Sequence, residues 1–195
     1  MIFSWLQKRT ARDRISALSV LCAGSCVHTA FCFVLHIKGD CNDMEKIAIA
    51  CDHCAFELKN VLIEHMRGRG KQVYDLGCHS SGDAVDYPVF AERVAMAVSS
   101  GEADGGILIC GTGIGMSIAA GKVRGIRCVC CSDEYSIKMS RSHNDANILC
   151  MGARVPGVAE KAAALLDVWL DTEFDGERHA RRVAMYEEIE KRQIK

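Results

Sequence analysis

The chain is organised around the stretch Asp104-Gly-Gly-Ile-Leu-Ile-Cys110-Gly-Thr-Gly-Ile-Gly115-Met-Ser-Ile-Ala-Ala-Gly-Lys122. The apolar run 107–109 is short, rich in β-branched side chains and bounded by glycines, which predicts a buried parallel strand. The strand ends at the thiol of Cys110, and a helical pattern begins at about Ile114. A glycine loop between strand and helix presents backbone N–H groups to a ligand and favours the thiolate form of Cys110.

The glycines at positions 111, 113 and 115 are open to two other interpretations. They could form only a tight turn, with Cys110 as a small core residue, as free cysteines often are. They could also form a dinucleotide-binding loop, but the G-x-G-x-x-G pattern requires glycine where this chain has Met116. The stretch by itself therefore predicts a strand, a loop and a helix without deciding the chemistry.

The composition indicates a reduced protein with no surface for nucleic acid. The 195 residues carry a net charge of −1 with both signs mixed, so no nucleic-acid partner is expected. Several of the twelve cysteines fall inside apolar strand-like runs, which indicates core positions in a cytoplasmic protein rather than a disulfide scaffold. The group at 128–131 could bind a metal, but neighbouring side chains on a strand point to opposite faces, so no metal site is predicted.

Residues 1–43 differ from the rest of the chain and are interpreted as an N-terminal extension. Basic residues precede the run 15–37, which lacks Asp, Glu, Lys and Arg and is long enough to span a bilayer. A basic stretch before an apolar run also resembles a signal peptide, although no clean A-x-A cleavage site follows. We favour a third interpretation, a translated upstream region with no membrane partner. Met44 lies immediately before the first predicted strand, and the codons of residues 38–40 can spell a purine-rich ribosome-binding sequence.

From Lys46 onward, strand-like and helical patterns alternate. Strands are predicted at residues 46–51, 72–76, 107–110, 125–131 and 146–151. Helices are predicted at residues 56–69, 88–99, 114–120, 133–141, 158–170 and 177–192. Five strands alternating with helices predict an α/β fold, a three-layer α/β/α sandwich around a five-stranded parallel, Rossmann-like sheet. Residues 44–195 are expected to form this domain.

Polar residues gather where the predicted strands end, which is where ligands bind in open parallel sheets. The positions at these ends are Asp52, His53, Cys110, Thr112 and Asp133. Further polar groups lie in the segment 141–147 and at Arg154. Arg178 and Arg182 share a helix face at i, i+4 spacing, so both could grip one phosphate. Taken singly, each of these residues is more simply explained as a helix end or a solvated face.

Taken together, residues 44–192 resemble the type B ribose-5-phosphate isomerases, within the wider family that includes galactose-6-phosphate isomerase subunits. The resemblance rests on matching segments in the family's order, at residues 49–53, 86–88, 104–115, 125–127, 140–147, 152–155 and 178–182. Two positions depart from the family pattern: Cys54 stands where a small residue is usual, and Gly121 stands where asparagine is frequent. Residues 1–43 have no counterpart.

The resemblance implies a cytoplasmic aldose–ketose isomerase of the pentose phosphate pathway that uses no metal and no organic cofactor. It would interconvert ribose 5-phosphate and ribulose 5-phosphate through an enediolate, with Cys110 as the proton-shuttling base. By the same resemblance, an anion hole is formed by Thr112 with Gly111, Gly113, Ile114 and Gly115. Ring opening is assisted by His143 and Asp52, with Asn144 beside them, and the sugar site is lined by Asp86 and Tyr87. The phosphate is held by His53, Arg154, Arg178 and Arg182. The implied assembly is a homodimer or a dimer of dimers in which a neighbouring subunit completes the site.

Two other functions compete with this interpretation. The first is a related isomerase acting on a six-carbon sugar, allose 6-phosphate or galactose 6-phosphate, since pocket length is not readable from sequence. The second is a non-catalytic nucleotide-binding module, because Asp133 lies about 20 residues beyond the glycine loop, as a ribose-binding acid would. Met116 breaks that fingerprint, and a non-catalytic binder has no need of both Cys110 and His143.

Overall fold

The computed structural model describes residues 44–82 and 84–193. Its five strands are β1 (Lys46–Cys51), β2 (Gln72–Asp75), β3 (Gly105–Cys110), β4 (Cys128–Cys130) and β5 (Ile148–Gly152). All neighbouring strands are parallel, in the order β2-β1-β3-β5-β4. The predicted five-stranded parallel sheet is therefore confirmed. The apolar run 15–37 lies outside the described residues.

Six α-helices connect or follow these strands in the described part of the chain. They are α1 (Phe56–Gly68), α2 (Tyr87–Ser99), α3 (Ile114–Ala120), α4 (Glu134–Asn144), α5 (Val158–Asp171) and α6 (Glu177–Gln193). Within residues 44–82 and 84–193, no helix combines the length and the apolar character needed to cross a membrane.

The strand that differs most from its predicted length is β4, which is predicted at 125–131 and spans only Cys128–Cys130. Gly125 adopts φ +79°, a conformation outside the strand region. The backbone N–H of Arg127 donates to the side-chain oxygen of Asn147 at 2.8 Å instead of to a strand neighbour. The segment before β4 is therefore held as a turn by side chains, which the apolar pattern alone does not reveal.

The sheet is covered on both faces because its strands alternate side chains between two apolar cores. Ile47, Ile49, Ile107 and Ile109 face a core completed by α1, α4 and α5, whose central side chain is Trp169. The opposite face carries smaller side chains, such as Ala48 and Ala50, against α2 and α3. The three-layer α/β/α sandwich predicted from the sequence is thus confirmed, and both cores leave the two edges of the sheet open to ligands.

One charged side chain, Lys59 of α1, is completely buried next to the sheet. Its ammonium group lies 2.7 Å from both carboxylate oxygens of Asp75 at the end of β2, and 2.8 Å from the carbonyl oxygen of Cys78. These three contacts satisfy the charge, which would otherwise be costly in an apolar core. The ion pair joins the first helix to the loop that leads towards the carboxyl edge of the sheet.

Candidate active site

Cys110 ends β3, where the chain turns into the glycine loop 111–115. Its thiol is buried, with 5% of the residue exposed, and the backbone N–H of Gly113 donates to Sγ at 3.1 Å. The helix that follows, α3, has only seven residues, so its dipole is small. The direct hydrogen bond from the loop is therefore the main feature that fixes Sγ beside the backbone N–H groups of the loop.

Two glycines of the loop are required by close contacts. Gly113 has φ +78°, and a Cβ there would lie 2.9 Å from the carbonyl carbon of Met151. A Cβ at Gly115 would lie 2.7 Å from the ring of Tyr87, which packs against the loop from the start of α2. The glycines thus let the loop lie close to β5 and bring Tyr87 beside it, as the sequence-based sugar site requires.

The end of β1 contributes two further polar groups. Asp52 is 8% exposed, and its Oδ1 accepts hydrogen bonds from the backbone N–H of Cys54 at 3.1 Å and from its thiol at 2.9 Å. Burial, and then the hydrogen bond to Asp52, raise the pKa of Cys54 to about 11, so this thiol stays protonated as a donor. His53 has a buried Nδ1 with no hydrogen-bond partner among the described residues, which suits a ligand oxygen.

Arg154 follows β5 and lies against the same loop. Its backbone N–H donates to the carbonyl oxygen of Gly111 at 3.0 Å, and a Cβ at Gly111 would lie 3.6 Å from its side-chain Cδ. The exposed guanidinium supplies positive charge at this edge. The structure therefore places the following predicted site residues at the carboxyl edge of the sheet, named the carboxyl-edge cluster: Asp52, His53, Asp86, Tyr87, Cys110, Gly111, Thr112, Gly113, Ile114, Gly115 and Arg154.

The other predicted site residues form a second group, the amino-edge cluster: His143, Asn144, Arg178 and Arg182. Helix α4 starts beyond the carboxyl end of β4 and runs back, so its last turn lies near the start of β5. Asp145 closes that helix with φ +47°. The start of α6 is joined there by a hydrogen bond from the backbone N–H of Asp175 to the carbonyl oxygen of Ser142, at 3.0 Å.

The two clusters lie apart within one chain. Gly152, the last residue of β5, is opposite Cys110 in the sheet, whereas His143 and Asn144 precede the first residue of β5, and the start of α6 is joined to the end of α4 beside them. Four steps of about 3.3 Å along β5 separate the two edges by at least about 13 Å. The predicted site residues are therefore brought together as two groups, one at the carboxyl ends of the strands and one at their amino ends.

A residue that the sequence analysis missed, His179, belongs to the amino-edge cluster. It is the one buried residue of α6 in the described part of the chain, and its ring stacks on His143 with centroids 4.2 Å apart and planes at 5°. Burial lowers the pKa of His179, and the positive charges of His143, Arg178 and Arg182 lower it further. The sequence feature that could have identified His179 is its position between Arg178 and Arg182, the two predicted phosphate-binding arginines.

A metal ion does not fit this cluster well. His143, Asp175 and His179 are the one group within residues 44–82 and 84–193 whose ligand atoms lie within 4.8 Å of one another. Imidazole lone pairs lie in the ring planes, and the two planes here are parallel, so both rings cannot point at one ion. The arrangement favours ring stacking over ligation.

The other candidate acid, Asp133, has a structural role. Its Oδ1 accepts a hydrogen bond from the backbone N–H of Ser136 at 2.8 Å, so it caps the N-terminus of α4. The same hydrogen bond lowers the pKa of Asp133. Because this carboxylate caps the helix, Asp133 is not available to bind a ribose hydroxyl. The main support for a nucleotide-binding module is therefore removed.

The eight described cysteines are free thiols. Cys150 is fully buried, as expected of a core position, but Cys130 is exposed because β4 is the edge strand of the sheet. The pairs 51/54 and 128/131 have C-x-x-C spacing, yet burial raises the pKa of Cys51 to about 12 and of Cys131 to about 11. Thiols held so firmly in the protonated form are poor nucleophiles.

Comparison with known proteins identifies relatives over most of the described chain. The family model described as "Ribose/Galactose Isomerase" matches residues 47–186. Ribose-5-phosphate isomerase B of Escherichia coli (strain K12) is 51% identical over 149 residues, which cover 76% of this chain and 99% of that protein. D-erythrulose-4-phosphate isomerase of Pectobacterium atrosepticum is 40% identical over 153 residues, covering 77% of this chain and 100% of that protein.

The same similarity extends to three-dimensional structure. A solved structure of ribose-5-phosphate isomerase B from Clostridium thermocellum superposes with a TM-score of 0.72 and 51% sequence identity. The superposition covers 75% of this chain and 98% of that one. The uncovered part of this chain lies mainly before residue 47, where the family match begins.

Proposed function

This chain belongs to the ribose/galactose isomerase family, and from that premise we propose that it interconverts ribose 5-phosphate and ribulose 5-phosphate without a metal or organic cofactor. It is an aldose–ketose isomerase. The observation that carries the assignment of the base is the Cys110 thiol at the end of β3, which accepts a hydrogen bond from Gly113 N–H. A base beside several N–H donors is what proton transfer next to a carbonyl requires.

The proposed chemistry moves one proton between two neighbouring carbons. The Cys110 thiolate takes the proton from C2 of the open-chain aldose, and the C2–H electrons form the C1–C2 double bond of an enediolate. The π electrons of the C1 carbonyl move to O1 in this step. The thiol then returns a proton to C1, and the hydroxyl proton of O2 passes to O1 as the ketone forms at C2, so the atoms balance. Backbone N–H groups of the loop, with Thr112, would donate to the enediolate oxygens as charge develops there.

Ring opening must precede this step, because ribose 5-phosphate exists mainly as a furanose. Opening requires a base for the proton on O1 and an acid that protonates the ring oxygen. We assign these tasks to Asp52 and His143, with Asn144 beside them. Asp52 is buried and held by Cys54, so its position is fixed before substrate binds.

The phosphate dianion needs several positive groups. We assign it to His53 and Arg154 from the carboxyl-edge cluster and to Arg178 and Arg182 from the amino-edge cluster. The two arginines of α6 are exposed, one turn apart, so both can donate to one phosphate.

The separation of the two clusters supports a site shared between two chains. Neither cluster alone supplies a base, a ring-opening pair and the full phosphate clamp. Exposed apolar side chains are available for contact with a second copy: Met96 of α2, Ile118 of α3, and Met185 and Ile189 of α6 are between 44% and 60% exposed. We therefore propose a homodimer, or a dimer of dimers, in which the carboxyl-edge cluster of one chain meets the amino-edge cluster of its partner. The free thiols agree with a cytoplasmic location.

A substrate panel tests the proposed function. The purified full chain would be assayed with phosphates of four-, five- and six-carbon aldoses and ketoses, each with and without EDTA, comparing kcat/KM. The four-carbon sugars belong in the panel because a relative at 40% identity is named D-erythrulose-4-phosphate isomerase. We expect the highest kcat/KM for the ribose and ribulose 5-phosphates, unchanged by EDTA. A higher value for allose 6-phosphate, galactose 6-phosphate or a tetrose phosphate would replace the proposed substrate.

A further inference from the structure

We propose that His179 is a positioning residue that holds the imidazole of His143 and the guanidinium of Arg178 in their working orientations. The inference rests on the proposed function, which assigns His143 to ring opening and Arg178 to the phosphate. It adds a residue with two separate contacts, and each contact is expected to affect a different kinetic parameter.

The first contact is the stack on His143. His143 lies in the last turn of α4 with 38% of its side chain exposed, and its Nε2 lies 4.0 Å from a carboxylate oxygen of the exposed Asp175. His179 is 6% exposed and lies parallel to it at 4.2 Å between centroids. A parallel aromatic contact favours one orientation of both rings. Because only His179 is buried, it is the fixed partner that sets the orientation of His143.

His179 is itself anchored at the start of α6. Its backbone N–H donates to the carbonyl oxygen of Gly176 at 2.9 Å, and the preceding turn is tied to α4 through Asp175 and Ser142 at 3.0 Å. Every other described position of α6 is partly or fully exposed, including the apolar residues Val183, Met185 and Ile189. If packing alone decided which residue of α6 is buried, one of these apolar side chains would be buried rather than a histidine. The burial of His179 therefore indicates a role for its imidazole ring.

The second contact is with Arg178, whose Nε donates to Nε2 of His179 at 3.2 Å. A nitrogen that accepts a hydrogen bond carries no proton, so the ring is the neutral tautomer with its proton on Nδ1. Burial and the positive charges of His143, Arg178 and Arg182 keep it neutral by lowering its pKa, against the opposing charge of Asp175. A neutral His179 holds Arg178 through this hydrogen bond.

The two contacts can be separated with two variants and two substrates. His179→Ala removes both the stack and the acceptor, whereas His179→Phe keeps a ring but removes the acceptor. Ribose 5-phosphate must be opened before it reacts. Ribulose 5-phosphate is acyclic, because its C5 oxygen is esterified and cannot close on C2. The same step is crossed in reverse as ring closure when the reaction starts from ribulose 5-phosphate, so a variant must lower kcat/KM by the same factor in both directions. The two contacts are therefore separated by how each loss divides between kcat and KM.

For His179→Ala we expect kcat with ribose 5-phosphate to fall about three- to tenfold, the range of a lost aromatic contact. The loss of kcat/KM should be the same with ribulose 5-phosphate, and KM should rise about threefold for both substrates, because Arg178 loses its partner. His179→Phe should restore kcat with ribose 5-phosphate while KM stays raised. Thermal unfolding and oligomeric state would be measured in parallel as controls of folding.

Three results would overturn the proposal. A lowered thermal unfolding temperature or an altered oligomeric state that accompanies the loss of kcat in His179→Ala indicates a general structural role. A His179→Phe enzyme as slow as His179→Ala excludes the stack, and unchanged KM in both variants excludes the contact with Arg178. If His179→Ala does not fold, His179→Gln replaces it, with lowered kcat for ribose 5-phosphate and normal KM as the expected pattern. A wild-type chain that turns over neither pentose phosphate contradicts the proposed function itself, whereas an active wild type with unaltered variants contradicts only the role of His179.

Discussion

The separation of the two clusters predicts that neither Cys110→Ala nor His143→Ala can be rescued within its own chain, but that each can rescue the other. The two edges of the sheet are at least about 13 Å apart along β5, which is longer than a five-carbon sugar phosphate. Neither a cysteine nor a histidine side chain is long enough to close that gap. We therefore expect a complete site to combine the carboxyl-edge cluster of one chain with the amino-edge cluster of another.

The magnitude follows from counting sites in a mixed dimer. One of its two sites combines both substitutions and is inactive. The other combines the intact carboxyl-edge cluster of the His143→Ala chain with the intact amino-edge cluster of the Cys110→Ala chain. A purified mixed dimer should therefore have about half the activity of the wild-type dimer, since a two-fold assembly has two equivalent sites.

The assay uses co-expression of the two variants with different affinity tags, two-step purification of the mixed dimer, and the initial rate with ribose 5-phosphate. Each variant expressed alone should be nearly inactive. A control pair, two differently tagged Cys110→Ala chains, should stay inactive and exclude an effect of the tags. A mixed dimer with no more activity than either variant alone would refute the reasoning, because it would mean that both clusters act within one chain.

Three further predictions concern the clamp, the core and the N-terminal segment. Arg178→Ala and Arg182→Ala should each raise KM about ten- to a hundredfold with little change in kcat, because the phosphate is held equally in ground and transition states. An unchanged KM for both variants would contradict the proposed binding of the phosphate by these two arginines. Lys59→Met should lower the free energy of unfolding by about 3 kcal/mol, measured by urea denaturation, because it leaves the carboxylate of Asp75 without its partner; a loss below about 1 kcal/mol would show that the pair contributes little. A chain of residues 44–195 should retain wild-type kcat/KM, since the family match begins at residue 47; an inactive truncated chain would assign a function to residues 1–43.

The fold followed from the sequence wherever a local pattern decides the structure. Strand β1 has the predicted bounds, and the glycine loop joins β3 to a helix beginning at Ile114, as predicted. In a chain whose strands and helices alternate, a short apolar run between glycines indicates a buried strand. The apolar pattern predicted too long a strand at β4, where the backbone N–H of Arg127 donates a hydrogen bond to the side chain of Asn147 and the strand is shortened. A side chain 20 positions away in sequence is not visible to a local pattern.

The candidate site was less predictable, because it depends on the direction of helices and on burial. Spacing placed Arg178 and Arg182 on one helix face but could not tell which edge of the sheet that face approaches. In α6 the apolar residues Met185 and Ile189 are exposed and His179 is buried instead. Amphipathic patterns identify which residues avoid water, but they do not distinguish a core from a surface that a second chain covers.

The most direct test of the account is the kinetic effect of Cys110→Ala with ribose 5-phosphate. The account predicts a kcat lowered at least about 10²–10⁴-fold, the range for a positioned acid or base, with a smaller change in KM and a normal circular dichroism spectrum. In the wild type, iodoacetamide should modify Cys110 first, with protection by ribose 5-phosphate, as mapped by peptide mass spectrometry. Burial raises the pKa of Cys54 to about 11 and that of Cys51 to about 12, so these thiols should react slowly. A folded Cys110→Ala enzyme that isomerises ribose 5-phosphate within a few-fold of the wild-type rate would contradict the central claim and move the search for the base to Asp52 and Asp86.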